Sequence, residues 1–230
     1  MDHETFAAQV EALREKFRVI TWDMPCHGRS SAIDRDLPFS ETAAGFIRDL
    51  LDHLEIETAI LAGLSLGSYV SQVAAHRYPK RIEATIHIGG GPLHPPVSPL
   101  VSMATPLIGF FVRLYPSKSI FRAFASHRAL RAETRAYMER VAEESGKELM
   151  AHLTQELIRD MVRGLPEHTL EPKLLCHGDH ETAFVRRQIH RWHREDPESH
   201  LRVIDDAHHV ANQDNPEGTN RVILEFLESL

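Results

Sequence analysis

At 230 residues, with 42% hydrophobic and 26% charged side chains, the chain is long enough for one sizeable globular domain or one domain with an insertion. A formal net charge of −7, with no Lys/Arg run that could follow a phosphate backbone, argues against nucleic acid as a partner. No charged-then-apolar leader opens the sequence and no apolar span reaches bilayer length, so no membrane role is expected. Cys26 and Cys176 stand in unrelated contexts, which makes a reducing cytoplasm the expected setting.

Phe6, Val10, Leu13 and Phe17 recur at helical spacing and predict an amphipathic helix that starts almost at residue 1. Residues 18–22, β-branched and aromatic, predict a strand that runs into the turn-rich segment Asp23-Met24-Pro25-Cys26-His27-Gly28-Arg29-Ser30. Ser40 with Thr42 is expected to cap a helix that buries Ala44, Ile47, Leu51 and Leu54. An apolar run from Ala59 then enters Gly63-Leu64-Ser65-Leu66-Gly67 and passes without pause into a helix over 66–78, stopped by Pro79. G-x-S-x-G between a strand and a helix reads as a sharp turn with Ser65 at its apex. Glycine is expected on either side because neighbouring backbones would leave no room for a Cβ, and the Leu66 amide faces whatever Ser65 attacks.

A buried strand over 83–88 closes on Gly89-Gly90-Gly91-Pro92. From Pro92 to about Pro172 the rhythm changes: prolines 95, 96, 99, 106 and 116 come first, then helical stretches over 131–144 and Lys147–Arg163, with nothing that reads as strand. Leu107, Ile108, Phe110, Phe111, Leu114 and Phe121 could wall an apolar substrate or form a small core of their own. Strands at 173–177 and 201–204, a helix over 184–194 and a final helix over 221–230 complete the chain. Strands alternating with helices imply parallel strands with crossovers, hence an α/β sheet.

A serine hydroxyl needs a base, and the base needs a third group to hold its tautomer. His208 and His209 follow the last strand, and Asp179 and Glu181 follow the one before it. All four would therefore lie at the same sheet end as Ser65. The order serine, acid, histidine together with these segments resembles the α/β-hydrolase fold family across essentially the whole chain. Residues 22–30 look like its D-x-x-G-x-G-x-S segment, with Cys26 where a glycine is usual. His177-Gly178-Asp179-His180-Glu181 is similar to its H-G-x-x-D, which implies Glu181 as the acid. Ala207-His208-His209, followed by Asn215-Pro216, resembles its A-G-H segment, with His208 in place of a glycine and His209 in the catalytic place.

The resemblance implies a mostly parallel sheet with flanking helices, built from residues 1–91 and 172–230, and a helical lid over 92–171. It implies Ser65 as nucleophile, His209 as base, Glu181 as acid and the Leu66 N–H in the oxyanion hole, acting on a small, largely apolar ester through an acyl-enzyme. A C–C bond hydrolase or acyltransferase with the same triad, or a catalytically weak binding protein, is the alternative. No cofactor is implied. His177, His180, Glu181, His208 and His209 lack metal-ligand spacing, so no metal is expected either. Family members usually carry a further strand and an H-G oxyanion loop ahead of the first helix. Without that strand the chain is expected to be incomplete at its N-terminus, and the strands ending at Trp22 and Gly63 are expected to keep unpaired backbone groups. The expected partners are a small-molecule substrate and, through those edges, a second copy of the chain.

Overall fold

The computed structural model of the protein describes residues 1–34, 37–104 and 114–230. Four parallel strands form one sheet in sequence order: β1 (Ala59–Leu64), β2 (Ile82–Ile88), β3 (Lys173–Gly178) and β4 (His200–Ile204). β2 and β3 are covered on both faces, as interior strands of a parallel sheet are, with Thr85, His87, Lys173 and His177 buried among their apolar residues. The register sets Leu64 beside Ile88, Ile88 beside Cys176 and Gly178 beside Ile204, so all four strands end along one edge.

α2 (Phe39–His53) precedes β1, α3 (Leu66–Arg77) crosses from β1 to β2, and α7 (Ala183–Glu195) crosses from β3 to β4. On one face Leu64, Ile86, Leu174, Cys176 and Ile204 meet Val222, Ile223 and Phe226 of α8 (Pro216–Leu227). On the other, α2 and α3 share a core of Phe39, Ala43, Ile47, Leu66 and Val70, while Ile189 and Trp192 of α7 cover Leu175. Between β2 and β3 come α4 (Ser117–Ser126), α5 (Ala132–Ser145) and α6 (Lys147–Arg163). Leu153, Leu157 and Met161 of α6 rest on the α2–α3 core. Among the described residues no helix is long and apolar enough to cross a membrane.

Several expectations need correction. Residues 18–22 form no strand, and the leading helix is short, a 3-10 turn His3–Phe6 followed by α1 (Ala7–Leu13). Strand preference is a preference for a half-buried pleated surface with neighbours, and among the described residues β1 pairs only with β2. Phe6, Val10, Leu13, Phe17 and residues 18–22 instead line a cavity of about 500 Å³ along the other edge of β1. Ser40 does not cap α2, because Pro38 holds that position and the Ser40 hydroxyl is turned to α6. The last helix begins at Pro216, capped by the Asn215 side chain, rather than at Arg221. Of the suggested apolar wall, Phe121 is buried and Leu114 exposed, whereas Leu107, Ile108, Phe110 and Phe111 lie outside the described residues.

Candidate active site

The turn between β1 and α3 puts Ser65 at φ 53° and ψ −113°. A non-glycine residue persists there only when its surroundings over-determine it. Three contacts do so: the Ser65 amide donates to the Ile88 carbonyl (2.9 Å), the Ser65 carbonyl accepts from the Ser68 amide (3.0 Å), and Gly63 lies against Gly67. A Cβ on Gly63 would sit 2.3 Å from Gly67 backbone atoms. Gly67 differs, since a Cβ there would meet nothing within 4 Å. The steric argument for paired glycines thus holds on one side only. Leu66 is the first residue of α3, so its amide has no carbonyl partner inside the helix and stands at the helix's positive end.

Glu181 and His209 come from the ends of β3 and β4. Between them the Ala207 amide donates to Asp179 Oδ1 (3.0 Å) and the His180 amide to the Ala207 carbonyl (3.0 Å), which ties the two loops together. Glu181 Oε2 then lies 2.6 Å from His209 Nδ1, and Glu181 Oε1 accepts from the Thr182 amide at 2.7 Å. Burial alone would raise the Glu181 carboxyl. The hydrogen bond and charge of His209 outweigh it and hold the group below the usual carboxylate range.

Ile88 to Gly90 touch both sides of the site. Ile88 holds the Ser65 amide, and a Cβ on Gly89, at φ +61°, would lie 3.0 Å from His209 Nδ1. Ser65 Oγ makes no hydrogen bond to another described residue, as often in ligand-free sites where such contacts tighten on binding.

The other sequence candidates have different work. Asp179 points its carboxylate at the 206–207 turn, and the Ala207 and Asp206 amides hold it low against the effect of burial. His208 Nδ1 accepts from the His209 amide (2.8 Å), and the His208 amide donates to Asp214 (3.0 Å). Cys26 has φ 64°, which accounts for glycine being usual there. Asp23 braces its loop, accepting from the His3 amide (2.6 Å) and the Arg29 amide (3.0 Å).

Two features were not picked out in the sequence. Asp214, fully buried, accepts from the amides of Leu130, Arg131 and His208, joining the inserted helices to the histidine loop. Beneath the serine turn a buried relay runs Ser68–His87–Thr85–Glu171, each step 2.8 Å. Thr85 donates to Glu171, so His87 Nε2 donates to Thr85 and Nδ1 accepts from Ser68. Burial pushes the imidazole down to about 3, keeping it neutral. Neither feature has a local motif, because the partners lie far apart in the chain.

The chain matches the alpha/beta hydrolase family over residues 2–222. It belongs to that family. Over its full length this hydrolase superposes on a thermophilic esterase from Thermogutta terrifontis, with a TM-score of 0.84 and 24% identity, covering 86% of that chain. An enol-lactonase from Burkholderia xenovorans superposes with a TM-score of 0.83 at 23% identity, over 99% of this chain and 87% of that one. In sequence, 92% of the hydrolase aligns at 25% identity with 76% of a 2-hydroxy-6-oxononadienedioate/2-hydroxy-6-oxononatrienedioate hydrolase from Burkholderia vietnamiensis.

Proposed function

We propose that this enzyme is a serine hydrolase that cleaves a small, largely apolar ester through an acyl-enzyme. The observation that carries the reading is the strained Ser65 turn at the same strand edge as the His209–Glu181 pair. Ser65 Oγ attacks the acyl carbon while His209 Nε2 takes its proton. Glu181 holds the ring through Nδ1 and offsets the imidazolium charge. The oxygen that gains negative charge meets the Leu66 N–H. Collapse of the intermediate breaks the ester C–O bond, and the alcohol leaves with the proton from His209. Water, deprotonated by the same ring, then attacks the acyl-enzyme, releasing the carboxylic acid and restoring Ser65. The insertion over 92–171 acts as a lid in this reading. Its support is the packing of Leu153, Leu157 and Met161 on a core that includes Leu66, the residue after the nucleophile.

A second reading has the same residues open an enol-lactone or cleave a carbon–carbon bond, supported by the likeness to the enol-lactonase and to the Burkholderia vietnamiensis hydrolase. Labelling with a fluorophosphonate tests both, because only an activated serine reacts. Stoichiometric label on Ser65, lost in Ser65→Ala, is expected, and an ester panel then separates the readings. An unlabelled Ser65 in folded protein would leave a catalytically weak binding protein.

A further inference from the structure

Arg128 lies in the turn between α4 and α5 and is fixed to the histidine loop. Its carbonyl accepts from the Val210 amide at 3.1 Å, and the amides of Leu130 and Arg131 donate to Asp214. Its guanidinium carbon stands 4.4 Å from the centre of the Phe124 ring, which orients the planar fork. The partly buried arginine Arg81 lies on Asp52, and Arg159 and Arg163 lie on the buried acids Glu156 and Asp160. Arg128 has no carboxylate within ion-pair distance among the described residues. The Glu181 charge acts on it, and both Glu181 oxygens are already engaged by His209 and Thr182. Burial pushes the guanidinium below the usual arginine range, with the Glu181 charge opposing that shift. A half-buried, pre-oriented cation without an acid costs stability, and a protein that keeps one on a turn bonded to the residue after His209 has a use for it.

We infer that Arg128 receives a carboxylate of the substrate, so that the preferred compounds are half-esters of small dicarboxylic acids. This rests on the ester-hydrolase reading above and narrows its substrate class. The guanidinium fork matches a carboxylate in two parallel hydrogen bonds, and no bond to the substrate is made or broken there. Ser65, His209 and Leu66 would act on the ester carbonyl while Arg128 holds the far end.

Monoethyl succinate and ethyl butyrate, nearly equal in size and differing in the carboxylate, are the probes. The measured quantity is the ratio of their kcat/KM values, followed by acid release. Wild type should favour the succinate. Arg128→Gln should lower the ratio by about 10–100-fold through KM, because charge-assisted hydrogen bonds are lost. Arg128→Lys should recover part of it. A wild-type preference for butyrate, or a ratio that Arg128→Gln leaves in place, overturns the inference while the esterase reading stands. If neither ester turns over and Ser65 takes no fluorophosphonate label, the esterase reading fails instead. Calorimetry of succinate with Ser65→Ala then decides the Arg128 role: binding that the added Arg128→Gln change weakens at least about tenfold supports it, and no succinate binding overturns it.

Discussion

Asp160 of α6 offers a test of how the inserted helices are held to the core. Its side chain is almost fully buried, with Ser40 Oγ donating to Oδ2 at 2.5 Å and Arg163 to Oδ1 at 2.8 Å. Burial lifts the carboxyl from 3.8 to about 6, with the nearby Glu156 adding to the rise and Ser40 and Arg163 opposing it. The folded state therefore binds a proton more readily than the unfolded chain between these values, and stability falls as pH rises from about 4 to 6. At roughly 1.4 kcal/mol per tenfold change, the ionised group costs about 3 kcal/mol above pH 7. Asp160→Asn removes the charge and keeps an acceptor for Ser40. The loss of the Arg163 contact, whose side chain is 42% exposed, should return no more than about 1 kcal/mol. A net gain of about 2–3 kcal/mol at pH 8 is expected, a rise in Tm of roughly 4–12 °C for a chain of this size. The gain should shrink towards zero at pH 4, where wild type is protonated as well. Calorimetric melts of both proteins from pH 4 to 8 measure it. A variant that is less stable at pH 8, or whose difference from wild type does not change with pH, would refute the reasoning.

Ser65→Ala and His209→Ala should each lower kcat by about 10⁴-fold or more without a change in melting, and a Ser65→Ala enzyme keeping a tenth of wild-type turnover would rule the mechanism out. Glu181→Gln should slow turnover strongly and Asp179→Asn mildly, because only Glu181 reaches His209; side-by-side kinetics with the opposite ranking would hand the role to Asp179. His87→Phe should strand the Ser68 hydroxyl and leave Thr85 without its donor in a dry site, costing about 2–5 kcal/mol in urea melts, with His87→Gln recovering part. Gly67→Ala, in open space, should stabilise α3 by up to about 1 kcal/mol, whereas Gly63→Ala should fail to give folded protein in circular dichroism.

The geometry of this candidate site was legible in the chain where its signals are local. Gly63 to Gly67 carry a turn that few residues tolerate, and Glu181 and His209, which the structure brings together, each follow a strand by a few positions. What was not legible depends on partners far away in sequence. Residues 18–22 have the composition of a strand but pair with no strand among the described residues, and composition cannot report whether a pairing forms. Ser40 looked like a cap because the serine was visible and Asp160, 120 residues on, was not. Asp214 and His87 act through backbone amides and buried hydroxyls that leave no motif. Cys26 shows the reverse case, a residue that departs from the usual pattern while the backbone keeps the glycine-like conformation.

β1 has one partnered edge, and in an extended strand successive peptide groups face opposite sides. The amides of Ala59 and of Ser65, the residue after the strand, both donate towards β2. By that parity Leu61 and Gly63 face β2 as well, while Ile60, Ala62 and Leu64 face the cavity. Hydrogen exchange along this strand should therefore alternate residue by residue, slow at the odd positions and fast at the even ones. Half the protons of this edge strand would then exchange on the timescale of a surface loop. Anything that seats itself along that edge could be followed by the three amides that fall silent.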